Sequence, residues 1–267
     1  MFFINVILFS ILFLQSISQE EGLVKDDVTK CMRVNFLGEA TTEACTAVTP
    51  TLESTGDYEG KCCKINFVND PLLTYKRTFG DDWKAKICEQ FELDEDLTED
   101  EIREKLKIEQ KICSILTKIG KNLALYNFAL ASLDGEVKYD CGDGEETFNS
   151  KDFIPKTDFE KKNKDMADCG VASDEKSCNK KSSKLVTDDA QCCWCETSSI
   201  GDLAQNFGLQ NCMGLPIKEI EDYLKTTIGI YDEGMGMKTK MSCSCLDKKG
   251  KSTSILVNSA TGEVIID

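Results

Sequence analysis

The chain has 267 residues, 32 of them basic and 47 acidic, for a formal charge of −15, and it carries 15 cysteines and no histidine. Without imidazole there is no Ser/His/Asp or Cys/His relay, no His-ligated metal, and no side chain that titrates unperturbed near neutral pH. The acidic excess argues against a nucleic-acid binder and against a basic protein of the membrane surface.

Residues 2–14 are apolar except for Asn5 and Ser10, and the stretch closes on Ser16-Ile17-Ser18 before Gln19-Glu20-Glu21. Such a run falls short of the roughly 20 residues that span a bilayer, and small residues stand where signal peptidase reads them, although the start lacks Lys and Arg. The expectation is a signal peptide at 1–18 and a soluble product, secreted or held in a secretory granule. No membrane span is expected elsewhere, because the next apolar run, Leu123 to Leu133, is broken by Asn127 and Ser132.

From residue 19 to 141 the cysteines follow the order Cys31, Cys45, Cys62-Cys63, Cys88, Cys141. The segment after Cys88 reads as a helix: Thr98 and Glu101 form a capping box, and the carboxylates Asp94, Asp96, Glu99 and Asp100 suit a helix N-terminus. Cys113 is placed by the same helical spacing beside Leu106, Gln110 and Leu116. A further helix is expected over Lys121–Leu133, stopped by Asp134-Gly135, and a short strand over Val137–Cys141. Asp140-Cys-Gly-Asp143-Gly-Glu-Glu146 has the look of a calcium loop but lacks the glycine and the final glutamate of an EF-hand. Weak calcium binding by the acidic surface is the one cofactor this composition admits.

Residues 142–167, rich in Gly, Asp, Glu and Lys around Pro155, form a polar connection that Phe148, Phe153, Ile154 and Phe159 could still pack. A second cysteine series then runs over 168–267: Cys169, Cys178, Cys192-Cys193, Cys212, Cys243. Its order matches the first, and Leu215–Lys225 aligns with Leu97–Lys107 at Leu, Glu, Ile, Leu and Lys. The expected fold class is therefore α+β: small disulfide-rich domains in two tandem copies of one cysteine module, each with a helix and short strands. A strand over Lys238–Cys243 and a C-terminal hairpin, Ser254–Val257 turning through Gly262 into Val264–Ile266, complete the second copy.

In the second copy Cys169-Gly170, Ser173-Asp174, Cys178 and Asp188-Asp-Ala-Gln-Cys192-Cys193-Trp194 resemble a cysteine module of secreted and surface proteins of ciliated protists. The resemblance is strong over these residues and weak in the first copy, where Met32 and Lys64 replace the glycine and the aromatic. It implies a location and an architecture and carries no assigned chemistry.

Six shared cysteines per copy allow 15 connectivities, which the sequence does not rank. Adjacent cysteines rarely bond each other, so each pair should clamp two segments. Outside the shared set stand Cys195 and Cys245, which can pair with each other, and Cys113, which is then the candidate free or intermolecular thiol and could link two chains in a dimer. Cys192-Cys193-Trp194-Cys195 contains a C-x-x-C, yet no βαβ pattern surrounds it and structural bridging is the expectation. Metal binding by this cluster with Cys243 and Cys245 lacks the paired spacing of a zinc site. Trp83 and Trp194 are read as core residues. The functional expectation is a secreted, disulfide-stabilised structural or interaction protein of a coat, matrix or granule, acting through a protein partner or self-assembly and more in keeping with a non-enzyme. The alternative is a secreted hydrolase using a carboxylate pair, possible on glycans without histidine.

Overall fold

The computed structural model of the chain describes residues 25–38, 40–200, 209–225 and 238–267. The expected signal peptide lies outside these residues. The protein is α+β and divides into two compact units, the first taking in the described residues up to Pro71 with Glu104–Ile154, the second Leu72–Arg103 with Pro155–Asp267.

The first unit opens with helix α1, Lys25–Leu37, and the short α2, Thr42–Thr46, whose N-cap Thr41 accepts from Ala44 N. Strand β1, Gly60–Asn69, alternates buried and open positions as a half-covered strand should. Strand β2, Ile108–Thr117, pairs antiparallel along its whole length, and β3, Glu136–Asp140, and β4, Glu145–Asn149, complete a sheet of order β2-β1-β3-β4. Helix α1 packs on β2 and α2 on β1. Because Cys62 and Cys63 are neighbours on a strand, their side chains leave opposite faces. Cys62 bonds Cys31 of α1, and on the same face Cys113 of β2 bonds Cys45 of α2; Cys63 bonds Cys141 on the other. That second face also carries Phe67, which meets Phe128 of the helix Lys121–Ala131 at 5.8 Å between ring centroids.

Between β1 and β2 the chain makes three helices, α3, Pro71–Phe79, α4, Trp83–Phe91, and α5, Glu99–Leu106; the second unit takes them from Leu72 to Arg103, while Pro71 and the last turn of α5 from Glu104 belong to the first. The Thr98–Glu101 capping box forms, Glu101 accepting from Thr98 N at 2.8 Å. Lys121–Ala131 is then α6 in chain order.

The rest of the second unit starts with α7, Asp158–Cys169, and α8, Glu175–Ser182, each opened by a capping box, at Thr157 and Asp174. Strands β5, Ala190–Ile200, β6, Leu209–Pro216, β7, Lys238–Asp247, β8, Ser252–Asn258, and β9, Glu263–Ile266, make an antiparallel sheet of order β6-β5-β7-β8-β9. Residues 220–225 are helical, with Leu224 fully buried. Cys169 of α7 bonds Cys192 and Cys178 of α8 bonds Cys212, while Cys193–Cys245 and Cys195–Cys243 join directly opposed residues of β5 and β7. A Cβ on Gly214 of β6 would stand 2.2 Å from the Met166 backbone, so helix α7 reaches its seat on the sheet only because that residue is glycine.

Five expectations are corrected. Cys195 and Cys245 do not pair with each other: Cys195 bonds Cys243 and Cys245 bonds Cys193. Cys113 lies on a strand and is bonded to Cys45 inside its own chain, so it is neither a free thiol nor a dimer link. The residue without a bridge is Cys88, buried in α4, and the cysteine that meets the second short helix of the first unit is Cys113. Helical spacing misread Cys113 because the run Ile112–Thr117 is buried on both faces, and an unbroken apolar run has no strand period. The alignment of Leu97–Lys107 with Leu215–Lys225 pairs elements at different places, α5 lying before its sheet's second strand and the 220–225 helix after β6; an amphipathic pattern of Leu, Ile and Glu is common to surface helices. Finally, residues 142–167 contain β4 and most of α7, so this stretch is built into both units.

Candidate binding groove

Each cystine frame is closed by one buried carboxylate. Asp27, four residues before Cys31, accepts from Glu53 N at 2.8 Å, Ser54 N at 2.7 Å and Ser54 Oγ at 2.6 Å. Asp165, four residues before Cys169, accepts from Val186 N at 2.9 Å, Thr187 N at 2.7 Å and Thr187 Oγ1 at 2.8 Å. Both therefore hold the loop that enters the Cys-Cys strand against the first helix. Burial opposes ionisation of Asp27, and the Ser54, Glu53 and Lys30 donors outweigh it, leaving its pKa below the ordinary carboxylate value. Sequence reasoning passed over both residues, although an acidic side chain on the cysteine side of a helix is a readable signal.

The apolar cores around these frames are small. In the first unit Ala40 and the bridges Cys31–Cys62 and Cys45–Cys113 form the cluster, with Val34 and Val48 at its edge. In the second, Ala172 and the bridges Cys169–Cys192 and Cys178–Cys212 are joined by Met166, Leu185 and Ala190, with Trp194 packed against them. Trp194 is thus only half-buried, and so is Trp83, whose ring carries the Lys76 ammonium 4.9 Å from its centre. Both tryptophans are partly buried, and Trp194 lies against the bridge cluster on the face of Cys192.

On that side the described residues of the second unit form a groove of about 760 Å³. The strand registers give its floor as two rows. One runs from Trp194 across Ser244 to Ser254, and the other from Gln210 across Glu196 and Ser242 to Leu256 and Ile265. Serines on β7 and β8 make the low ground, between the tryptophan on one side and the two aliphatic side chains on the other. Asp174 and Glu175 at the start of α8, with Asp81 and Lys76, stand around the rim, and Asp267 closes the first row, its strand bonded to Ser254. Glu196 accepts from Gln210 Nε2 at 2.6 Å, and Asp174 accepts from Ser177 N at 2.7 Å, so these two carboxylates are held in place by structural donors.

The remaining sequence candidates are dispersed. Asp140 accepts from Gly142 N and from Thr42, while Asp143 pairs with Lys61, Glu145 with Lys138 and Glu146 with Lys121, so the carboxylates of the acidic hairpin point to separate lysines. Lys61 holds the Asp143 carboxyl below its ordinary value. Among the described residues no three His, Cys, Asp or Glu side chains gather as a metal site requires. The C-x-x-C is a strand segment whose three cysteines bond Cys169, Cys245 and Cys243.

The chain matches no protein-family model, no curated protein and no solved structure.

Proposed function

We propose that this is an extracellular, disulfide-stabilised binding protein built from two related cysteine modules, of which the second presents the ligand groove. Seven intrachain bridges fit an extracellular protein. The duplication is supported by paired features: helix to first cysteine of the pair, second helix to the neighbouring strand, second cysteine of the pair to the third strand, and the buried aspartate four residues before the first cysteine. On this reading the three helices between β1 and β2 are an insertion, and Cys88 is its own residue.

The observation that carries the binding role is the open face at Trp194. A half-buried tryptophan beside small hydroxyl side chains, in a concavity of the size ligand sites take, offers a ligand an aromatic surface flanked by polar groups that can orient it. The equivalent position after the first cysteine pair is Lys64, so the groove belongs to one module alone. Loss of Cys113 as a chain link removes the main support for covalent self-assembly and favours ligand binding.

The test uses the full secreted chain and its Trp194→Ala variant against immobilised oligosaccharides and acidic, basic and neutral peptides. At least one class of probe should bind the wild type and be lost in the variant, with the bridges and far-UV circular dichroism unchanged. If no probe distinguishes the two proteins the binding role fails, and release of cleaved glycan would favour the hydrolase alternative.

A further inference from the structure

We infer that the groove takes a cationic ligand, specifically an extended protein segment bearing lysine or arginine, lying along β7 with one cation over the Trp194 ring and beside Glu196. This inference rests on the binding role proposed above and names its ligand. It starts from charge. The titratable side chains lining the groove are Asp81, Asp174, Glu175, Glu196, Asp267 and Lys76. Lys76 is already engaged, its Nζ 2.8 Å from Glu99 Oε2 and 4.9 Å from the Trp83 ring centre, so it offers little compensation to the others. An anionic ligand would meet net repulsion there, on a chain whose formal charge is already −15.

The shape of the floor selects an extended segment. Trp194 and Glu196 are two residues apart on one strand and share a face, about 7 Å apart along β5. Ser244 stands opposite the first and Ser242 opposite the second. That spacing is the repeat of an extended peptide, whose alternate side chains also fall about 7 Å apart, so one basic side chain can lie over the indole while the next same-side residue reaches the carboxylate. Serines on β7 and β8 keep the track between β5 and β9 low, and their hydroxyls can donate or accept along a passing backbone. Leu256 and Ile265 on the far bank offer apolar contact to the aliphatic stem of a lysine or arginine.

The experiment is isothermal titration of the full chain with three probe peptides of one length, in which alternate positions are lysine, serine or glutamate. The lysine peptide should bind, the glutamate peptide should not, and raising salt from about 20 to 300 mM should weaken binding, since these charges face solvent. Trp194→Ala should lower affinity by about fivefold or more, the scale of a cation–π contact, and Glu196→Gln by about two- to fivefold, while Trp194→Phe should keep most of it. The glutamine variant keeps the test usable should the alanine variant fold poorly. Lysine-peptide binding indifferent to both Trp194→Ala and Glu196→Gln would mean diffuse attraction to an acidic surface and would overturn the inference. A neutral oligosaccharide bound in a Trp194-dependent way, with no lysine-peptide binding, would overturn the cationic ligand and leave the groove's binding role standing. If nothing binds in a Trp194-dependent way, both fall.

Discussion

Two aspartates, each four residues ahead of a bridged cysteine, do at the residue scale what a larger core would do in a bigger protein. Each is fully or nearly fully buried, Asp27 at 0% and Asp165 at 3% exposure, and each gathers two adjacent backbone N–H groups and a hydroxyl from one loop. A buried carboxylate is tolerated only with such a set of donors, and removing it strands the donors as well. Asp165→Ala should therefore lower stability by about 3 kcal/mol or more, whereas Thr187→Val, which keeps the backbone donors paired, should cost about 1 kcal/mol. Urea unfolding of the intact, oxidised chain checks this: the midpoint should fall in that order with the slope unchanged. If Asp165→Ala left the midpoint within error, the aspartate would be a bystander of the bridge beside it.

The strands and bridges set the next level. Cys193–Cys245 and Cys195–Cys243 lie on the same face of β5 and β7, spanning 52 and 48 residues, so the second closes a loop that the first has nearly closed already. In the chain-entropy picture either one alone restrains the unfolded chain by about 4 kcal/mol, and adding the other restrains it little further. Each double substitution to alanine, Cys195/Cys243 or Cys193/Cys245, should thus cost about 1–2 kcal/mol, mostly lost packing, while the quadruple variant should lose far more than the sum. Thermal melts of the three variants measure this, and additive losses would show that the ladder, and not loop closure, is what the bridges support. The same elements show which parts of the fold were legible. The Thr98–Glu101 capping box, the C-terminal hairpin and the β3 and β7 strands were readable, because a Thr-x-x-Glu pair, a Gly turn and polar–apolar alternation are local signals. Strand β2 was not, since its inner half is buried on both faces and loses the alternation, and with it went the partner of Cys45. The groove was hidden for a different reason: its parts, such as Trp194 and Ser254, are 60 residues apart in sequence and meet only through strand register.

At the scale of the whole molecule the charge excess and the buried Asp27 act at different acidities, which separates two effects that acid would otherwise merge. The net charge vanishes near pH 4.6, where self-repulsion is lost and the chain should associate. Asp27 does not titrate there. Its folded pKa lies below the ordinary value, so its contribution is fully present above about 3.9, the unfolded carboxylate value, and is lost as pH falls through the lower folded value. Turbidity on lowering the pH from 7 should therefore peak near 4.6 in a protein whose near-UV circular dichroism is still native, and returning to pH 7 should redissolve it folded. Only below about pH 3.9 should the tertiary signal begin to fail, with the bridges intact. In Asp27→Asn the turbidity peak should stay in place while the low-pH loss becomes shallower from a less stable starting point, because the titrating group is gone. A tertiary signal that collapses together with the turbidity, at the same pH in both proteins, would show that acid acts on the surface charge alone and that the lock at Asp27 contributes nothing to the acid limit of the fold.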